Sequence, residues 1–138
     1  MLCSVKLRRT LLVCTTVSFA AIDLVHKSFV SAEFHHARTQ FVALIMAALI
    51  VALIVLVPRV PSNTAATGAG IACGGALGNL ISLFAWSQGV PDPLVVAGAV
   101  HGLAFNLADV FAITGDALLL SAVVLHGMRH RARLRERV

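Results

Sequence analysis

This sequence is short of charge, of acidic charge above all, and of aromatic residues with polar tips. Tyrosine is absent, Trp86 is the single tryptophan, and only six of the 138 residues are Asp or Glu. Charged residues make up 12% of the chain against 59% apolar ones, with a mean hydropathy of +0.92. So few charges could not cover a soluble domain of this length, which excludes a water-soluble fold and points to one integral membrane domain, residues 1–138. The missing tyrosines leave a weak aromatic belt. The formal net charge of +5 comes mainly from the two termini, without interleaved aromatics or a soluble platform, so no nucleic acid partner is expected. Cysteine is scarce too: Cys3, Cys14 and Cys73 are odd in number, lack metal-ligand spacing and avoid the predicted outer connections, which argues against a disulfide framework. Bulky Val13 before Cys14 is wrong for a lipoprotein cleavage box, so the first apolar segment reads as a retained helix.

What is present is long apolar runs. They predict an all-α membrane protein, a four-transmembrane-helix bundle with helices at about 10–27, 40–57, 64–86 and 103–128 and a basic tail at 129–138. Pro58 and Pro61 mark the short turn between the second and third helices. Lys6, Arg8 and Arg9, then Arg59, then Arg129, Arg131, Arg133, Arg135 and Arg137 fall on one side. The first connection holds only Lys27 and Arg38, and the third, Ser87–Gly102, holds neither Lys nor Arg. The positive-inside rule then puts both termini in the cytoplasm and leaves a small extracytoplasmic portion.

That topology brings polar groups to the outer side: Asp23 near the end of helix one, Asn79 in helix three, Asp92 in the third connection and Asp109 early in helix four. Carboxylates beside hydrocarbon are expensive, so Asp92 and Asp109 together suggest a membrane aspartic peptidase. Two close carboxylates share a proton: one takes a proton from water, the other donates to the developing oxyanion, and neither metal nor cofactor is needed. Pro91 and Pro93 hold Asp92 on a stiff segment, although Pro-Asp-Pro alone is usually a solvated turn. Asn106, three residues before Asp109, can orient a carboxylate. Asp23 and Lys27, four apart, can pair at a helix end with Lys27 snorkelling outward. Gly70, Gly74 and Gly78 line one helix face for close packing, with Gly75 and Asn79 nearby; Asn79 either ties helices together or holds substrate backbone. Glu33 with His35 and His36 is a poor metal site, because adjacent histidines diverge. His126 and His130 belong with the basic, lipid-facing tail. Asp116, seven residues beyond Asp109, lies near mid-membrane, where it suits proton or ion traffic or an interhelical hydrogen bond.

Gly74-Gly75-Ala76-Leu77-Gly78-Asn79 and Phe105-Asn106-Leu107-Ala108-Asp109, with Gly115 after it, resemble the motifs of the lipoprotein signal peptidase (signal peptidase II) family, and Asp23-x-x-x-Lys27 resembles that of its first helix. The resemblance implies a four-helix aspartic endopeptidase of the bacterial cytoplasmic membrane, with its site at the extracytoplasmic face. It would cleave signal peptides from diacylglyceryl-modified prolipoproteins beside membrane lipid. It further implies Asp92 and Asp109 as the catalytic pair, with Asp23, Lys27, Gly75, Asn79, Asn106 and Ala108 shaping the site or holding substrate. The chain departs from the family pattern in three places. An Asn-x-x-Asp-Arg run becomes Asn79-Leu80-Ile81-Ser82-Leu83, Asp92 sits between prolines, and Phe34-His35-His36-Ala37-Arg38 replaces an Asn-x-Gly stretch. Two other readings remain open: a degenerate relative that binds lipidated peptides without cutting them, and a small proton-coupled transporter using Asp116 or Asp23.

Overall fold

The computed structural model describes residues 2–96 and 103–135. Four helices carry the fold: α1 (Leu2–Phe29), α2 (Gln40–Leu56), α3 (Asn63–Ala85) and α4 (Leu107–Arg135). All four include stretches long and apolar enough to cross a membrane. The connections at one end form short strands: β1 (Phe34–His36), β2 (Val90–Asp92), β3 (Leu94–Val96) and β4 (Leu103–Phe105). They pair antiparallel as two ribbons, β1 with β2 and β3 with β4, with Phe34 opposite Asp92 and Leu94 opposite Phe105.

Local chemistry explains the boundaries. Thr39 caps α2 by accepting from the Val42 amide at 3.4 Å, and Ser62 caps α3 by accepting from Ala65 at 3.1 Å. α2 is nearly featureless apolar sequence. The 3-10 turn Val57–Arg59, with Pro58 in it, extends α2 to a 20-residue span, about 30 Å at 1.5 Å per residue. Gly89, at φ 104°, turns the chain from the end of α3 into β2.

Two expected boundaries are corrected. Helix four begins at Leu107 rather than near residue 103, because Leu103–Phe105 pairs with β3 and Asn106 caps the helix. Its far end is no separate tail: α4 continues to Arg135, since Arg129–Arg135 contains good helix formers and no glycine or proline. Arg137 and residues 97–102 of the third connection lie outside the described residues.

α3 is the axis of the bundle, with α1 and α4 packed closely against it and α2 more loosely attached. Its buried face is made of Ala65, Ala66, Gly68, Ala69, Gly70, Ala72, Cys73, Gly74, Gly75 and Gly78 with two polar residues. The Gly70–Gly74–Gly78 stripe receives α1: a Cβ on Gly74 would stand 2.6 Å from the Phe19 Cβ and 3.0 Å from the Thr16 carbonyl. On α4, Gly115 lies against the Ala72 amide and the Gly68 carbonyl, so the two backbones touch there. At the opposite end from the strands, buried Arg8 donates through Nε to the Pro58 carbonyl at 2.9 Å, tying α1 to the 3-10 turn.

Gly115→Ala should therefore lower the thermal midpoint of the detergent-solubilised protein by several degrees, because its methyl has only backbone to displace. Gly127→Ala, on the same helix with open space around it, should leave the midpoint unchanged or raise it slightly.

Candidate active site

The site begins with a charge that has nowhere to go. Lys27 of α1 is fully buried, so each ammonium N–H must find an acceptor inside the protein. It donates to Asp23 Oδ2 at 2.6 Å, to Asn79 Oδ1 at 2.8 Å and to Ser82 Oγ at 3.2 Å. Taken alone, an Asp-x-x-x-Lys pair at a helix end suggests an outward, snorkelling lysine; Lys27 instead crosses to α3, where acceptors wait for it. Gly78 makes room for this arrangement, since a Cβ there would lie 2.5 Å from Asp23 Oδ2.

The other ends of these acceptors reach α4. Asp23 Oδ1 accepts from the Ala108 amide at 2.9 Å, satisfying one of the unpaired N–H groups at the start of that helix. Gly75 allows the same turn to settle, with the Ala108 carbonyl and the Ala112 amide against its α-carbon. Because Lys27 occupies the Asn79 oxygen, the Asn79 amide nitrogen is turned towards Asp109 and donates to its Oδ1 at 3.0 Å.

Asn106 joins the two aspartates. It caps α4 by accepting at Oδ1 from the Asp109 amide (3.1 Å), while Asp109 Oδ2 accepts from the Asn106 amide (3.2 Å), a reciprocal capping box. Its side-chain nitrogen points the other way and donates to Asp92 Oδ1 at 2.6 Å. One buried asparagine therefore fixes both carboxylates. Asp109 stands in the first turn of α4, closer to the helix start than its sequence position suggested, and its side chain is 32% exposed while that of Asp92 is 1% exposed.

Two basic side chains arrive from the first connection. β1 pairs with β2, and His36 Nδ1 meets Asp92 Oδ2; just beyond, Arg38 Nη2 lies 3.7 Å from Asp109 Oδ1. From the sequence alone, His36 belongs to a poor metal site, Arg38 to the charge distribution between connections, and Ser82 to a departure from the family pattern. The ribbon that brings residues 36 and 92 together spans more than fifty positions of sequence, so no local spacing announced it. Among the described residues no cluster of three or more metal-ligating side chains is present.

Arg38 also heads an apolar groove of about 610 Å³ between α2 and α3, lined by Ala43, Leu44 and Ala47 on one side and Leu80 and Leu83 on the other. Through Arg38, 3.7 Å from Asp109, the groove meets the polar network at its head. Asp116 takes no part in the network; it lies exposed on α4 further from the strands.

Removing Lys27 alone should be more harmful than removing the whole pair. Lys27→Met leaves a buried carboxylate unpaired and should cost about 3–5 kcal/mol. Asp23→Leu with Lys27→Met should cost less in the same unfolding assay.

Residues 6–125 match the family model described as signal peptidase (SPase) II, a stretch that includes every residue of this network. No curated protein and no solved structure matches the chain. With the match covering most of its length and four membrane-spanning helices in place, the chain belongs to the signal peptidase II family, aspartic-type peptidases that cleave signal peptides from lipoproteins.

Proposed function

We propose that this chain is an active peptidase in which Asp92 and Asp109 form the catalytic pair, acting on diacylglyceryl-modified prolipoproteins at the extracytoplasmic face of a bacterial cytoplasmic membrane. The observation that carries this reading is the double use of Asn106, bonded to both carboxylates and buried between them. A structural cap needs only the Asp109 half of that arrangement. The distribution of Lys and Arg supports the orientation.

In the reaction, water sits between the two carboxyl groups. The ionised one takes a proton from it as the oxygen attacks the scissile carbonyl carbon, and the protonated one donates to the carbonyl oxygen. Collapse of the tetrahedral intermediate breaks the C–N bond. A proton passes to the leaving nitrogen, freeing the amine of the modified cysteine and a signal peptide with a new carboxylate. Asn79 and Asn106 hold the pair in register, while Lys27 and Asp23 fix Asn79 and the first turn of α4 from behind.

Arg38 fills a gap in the family pattern. The arginine implied one turn beyond Asn79 is Leu83 in this chain, and Leu83 and Arg38 line the same groove. A guanidinium there donates to ester and amide carbonyls of a lipidated substrate. This answers one of the two grounds for a degenerate binder, the lost arginine; the other is the replaced Asn-x-Gly stretch.

Cleavage of a diacylglyceryl-modified prolipoprotein by the purified protein tests the reading. Asp92→Asn and Asp109→Asn should each lower turnover by at least about 10²–10⁴-fold with folding retained. Full activity in either variant, or none in the folded wild type, would sink it. Arg38→Ala should raise KM by about tenfold or more, as loss of a charged hydrogen bond predicts. Adding Leu83→Arg to Arg38→Ala should recover most of that loss.

A further inference from the structure

Asp116 is an acidic residue that the catalytic arrangement leaves unused, and its position on α4 is specific. Seven residues separate it from Asp109, two helical turns, so the two carboxylates share one stripe of the helix. Ile113 lies between them at 71% exposure, and Leu120 and Val123 continue the stripe at 63% and 41%. α2 packs chiefly on α3 and leaves this side of α4 open. An exposed apolar track therefore descends from Asp109, interrupted by one carboxyl group about 10 Å below it.

A carboxyl group facing hydrocarbon lacks the hydrogen-bond partners that water or protein would give it. Acyl chains offer none. A segment that starts at the Asp92–Asp109 pair and runs along this stripe does, when it carries a hydroxyl at the right depth. We propose that the Asp116 stripe of α4 is the track for the apolar helix of the substrate's signal peptide, and that Asp116 hydrogen-bonds a serine or threonine in it. The inference rests on the peptidase reading above. A signal peptide has its basic residues at the cytoplasmic end and roughly 7–15 apolar residues before its cleavage site. With the scissile bond at Asp109, that apolar stretch runs antiparallel to α4 and passes Asp116. A drop of about 10 Å corresponds to about seven residues of helix or about three of extended chain. The residue read by Asp116 thus lies about three to seven positions before the scissile bond. Asp116 becomes a specificity residue, distinct from the pair that breaks the bond.

The test is a set of lipidated prolipoprotein peptides with leucine and alanine in the apolar segment and a single serine moved stepwise away from the scissile bond. For the full-length wild-type protein, kcat/KM should peak about three- to tenfold above the serine-free peptide at one position in that window, the range expected of a hydrogen bond within a membrane. Asp116→Leu should flatten the profile, and Asp116→Asn, which keeps an acceptor oxygen, should preserve the peak. Binding of the same peptides, read by fluorescence anisotropy, asks the question independently of turnover. A serine-dependent affinity that Asp116→Leu removes supports the track even where nothing is cleaved, and in that case the peptidase reading alone has failed. Flat profiles in wild type, or a peak that survives Asp116→Leu, overturn the inference. Flat profiles with self-association that Asp116→Leu abolishes assign the stripe to a second copy of the chain instead.

Discussion

The arrangement of this protein depends on how a single buried ammonium group is satisfied. Lys27 has no exposure and three acceptors, and an unpaired charge in such a place would be prohibitively unstable. Its demands propagate. Taking one Asp23 oxygen leaves the other for the Ala108 amide, which fixes where α4 starts. Taking the Asn79 oxygen turns the Asn79 nitrogen towards Asp109. Lys27 touches neither member of the proposed catalytic pair, yet it decides what one of them bonds to.

Such a network needs helix backbones closer than ordinary side chains allow. α3 supplies that closeness through Gly74, Gly75 and Gly78, and α4 through Gly115. Each glycine inside a helix costs about 1 kcal/mol relative to alanine. In a membrane that cost is offset by tight contact and by polar bonds made out of reach of water, since apolar area alone does little to hold helices together there. Gly78 links the two effects, because the space it leaves is filled by the Asp23 carboxylate. α2 obeys a different rule. It carries bulky aliphatic residues and buries only Ala43 and Ile50, so it borders a groove and does not close the core.

The helices and the proposed pair were legible in the sequence because membrane spans and charged ends are local signals. The glycine stripe was legible too, since a four-residue spacing defines a helix face. The inward course of Lys27 was not: an Asp-x-x-x-Lys pair looks the same whether it caps a helix end or plugs a core, and the difference lies in Asn79 and Ser82, more than fifty residues away. The strands escaped for a similar reason. Three-residue segments carry too little alternation to announce themselves, and Leu103–Phe105 reads as the start of the fourth apolar run. Asn106 was recognised as a partner for a carboxylate, but its capping role places it at the break between β4 and α4, where it serves two aspartates.

The contacts of His36 and Arg38 lie where this chain departs from the family pattern. A cation on α3 would be rigidly mounted, its position set by the helix. Arg38 instead comes just after β1, whose pairing with β2 positions His36 beside Asp92. The same ladder therefore serves both carboxylates, and β2 carries Asp92 itself between Pro91 and Pro93. Pro91, the β2 residue without an amide hydrogen, stands opposite His35, between the Phe34–Asp92 and His36–Val90 pairs, where the ladder asks no donor of it. The contacts of His36 with Asp92 and of Arg38 with Asp109 add side-chain ties to this short ladder. On the proposed reading Arg38 takes the part of the arginine missing at Leu83, and its mounting just after β1 sets it 3.7 Å from Asp109.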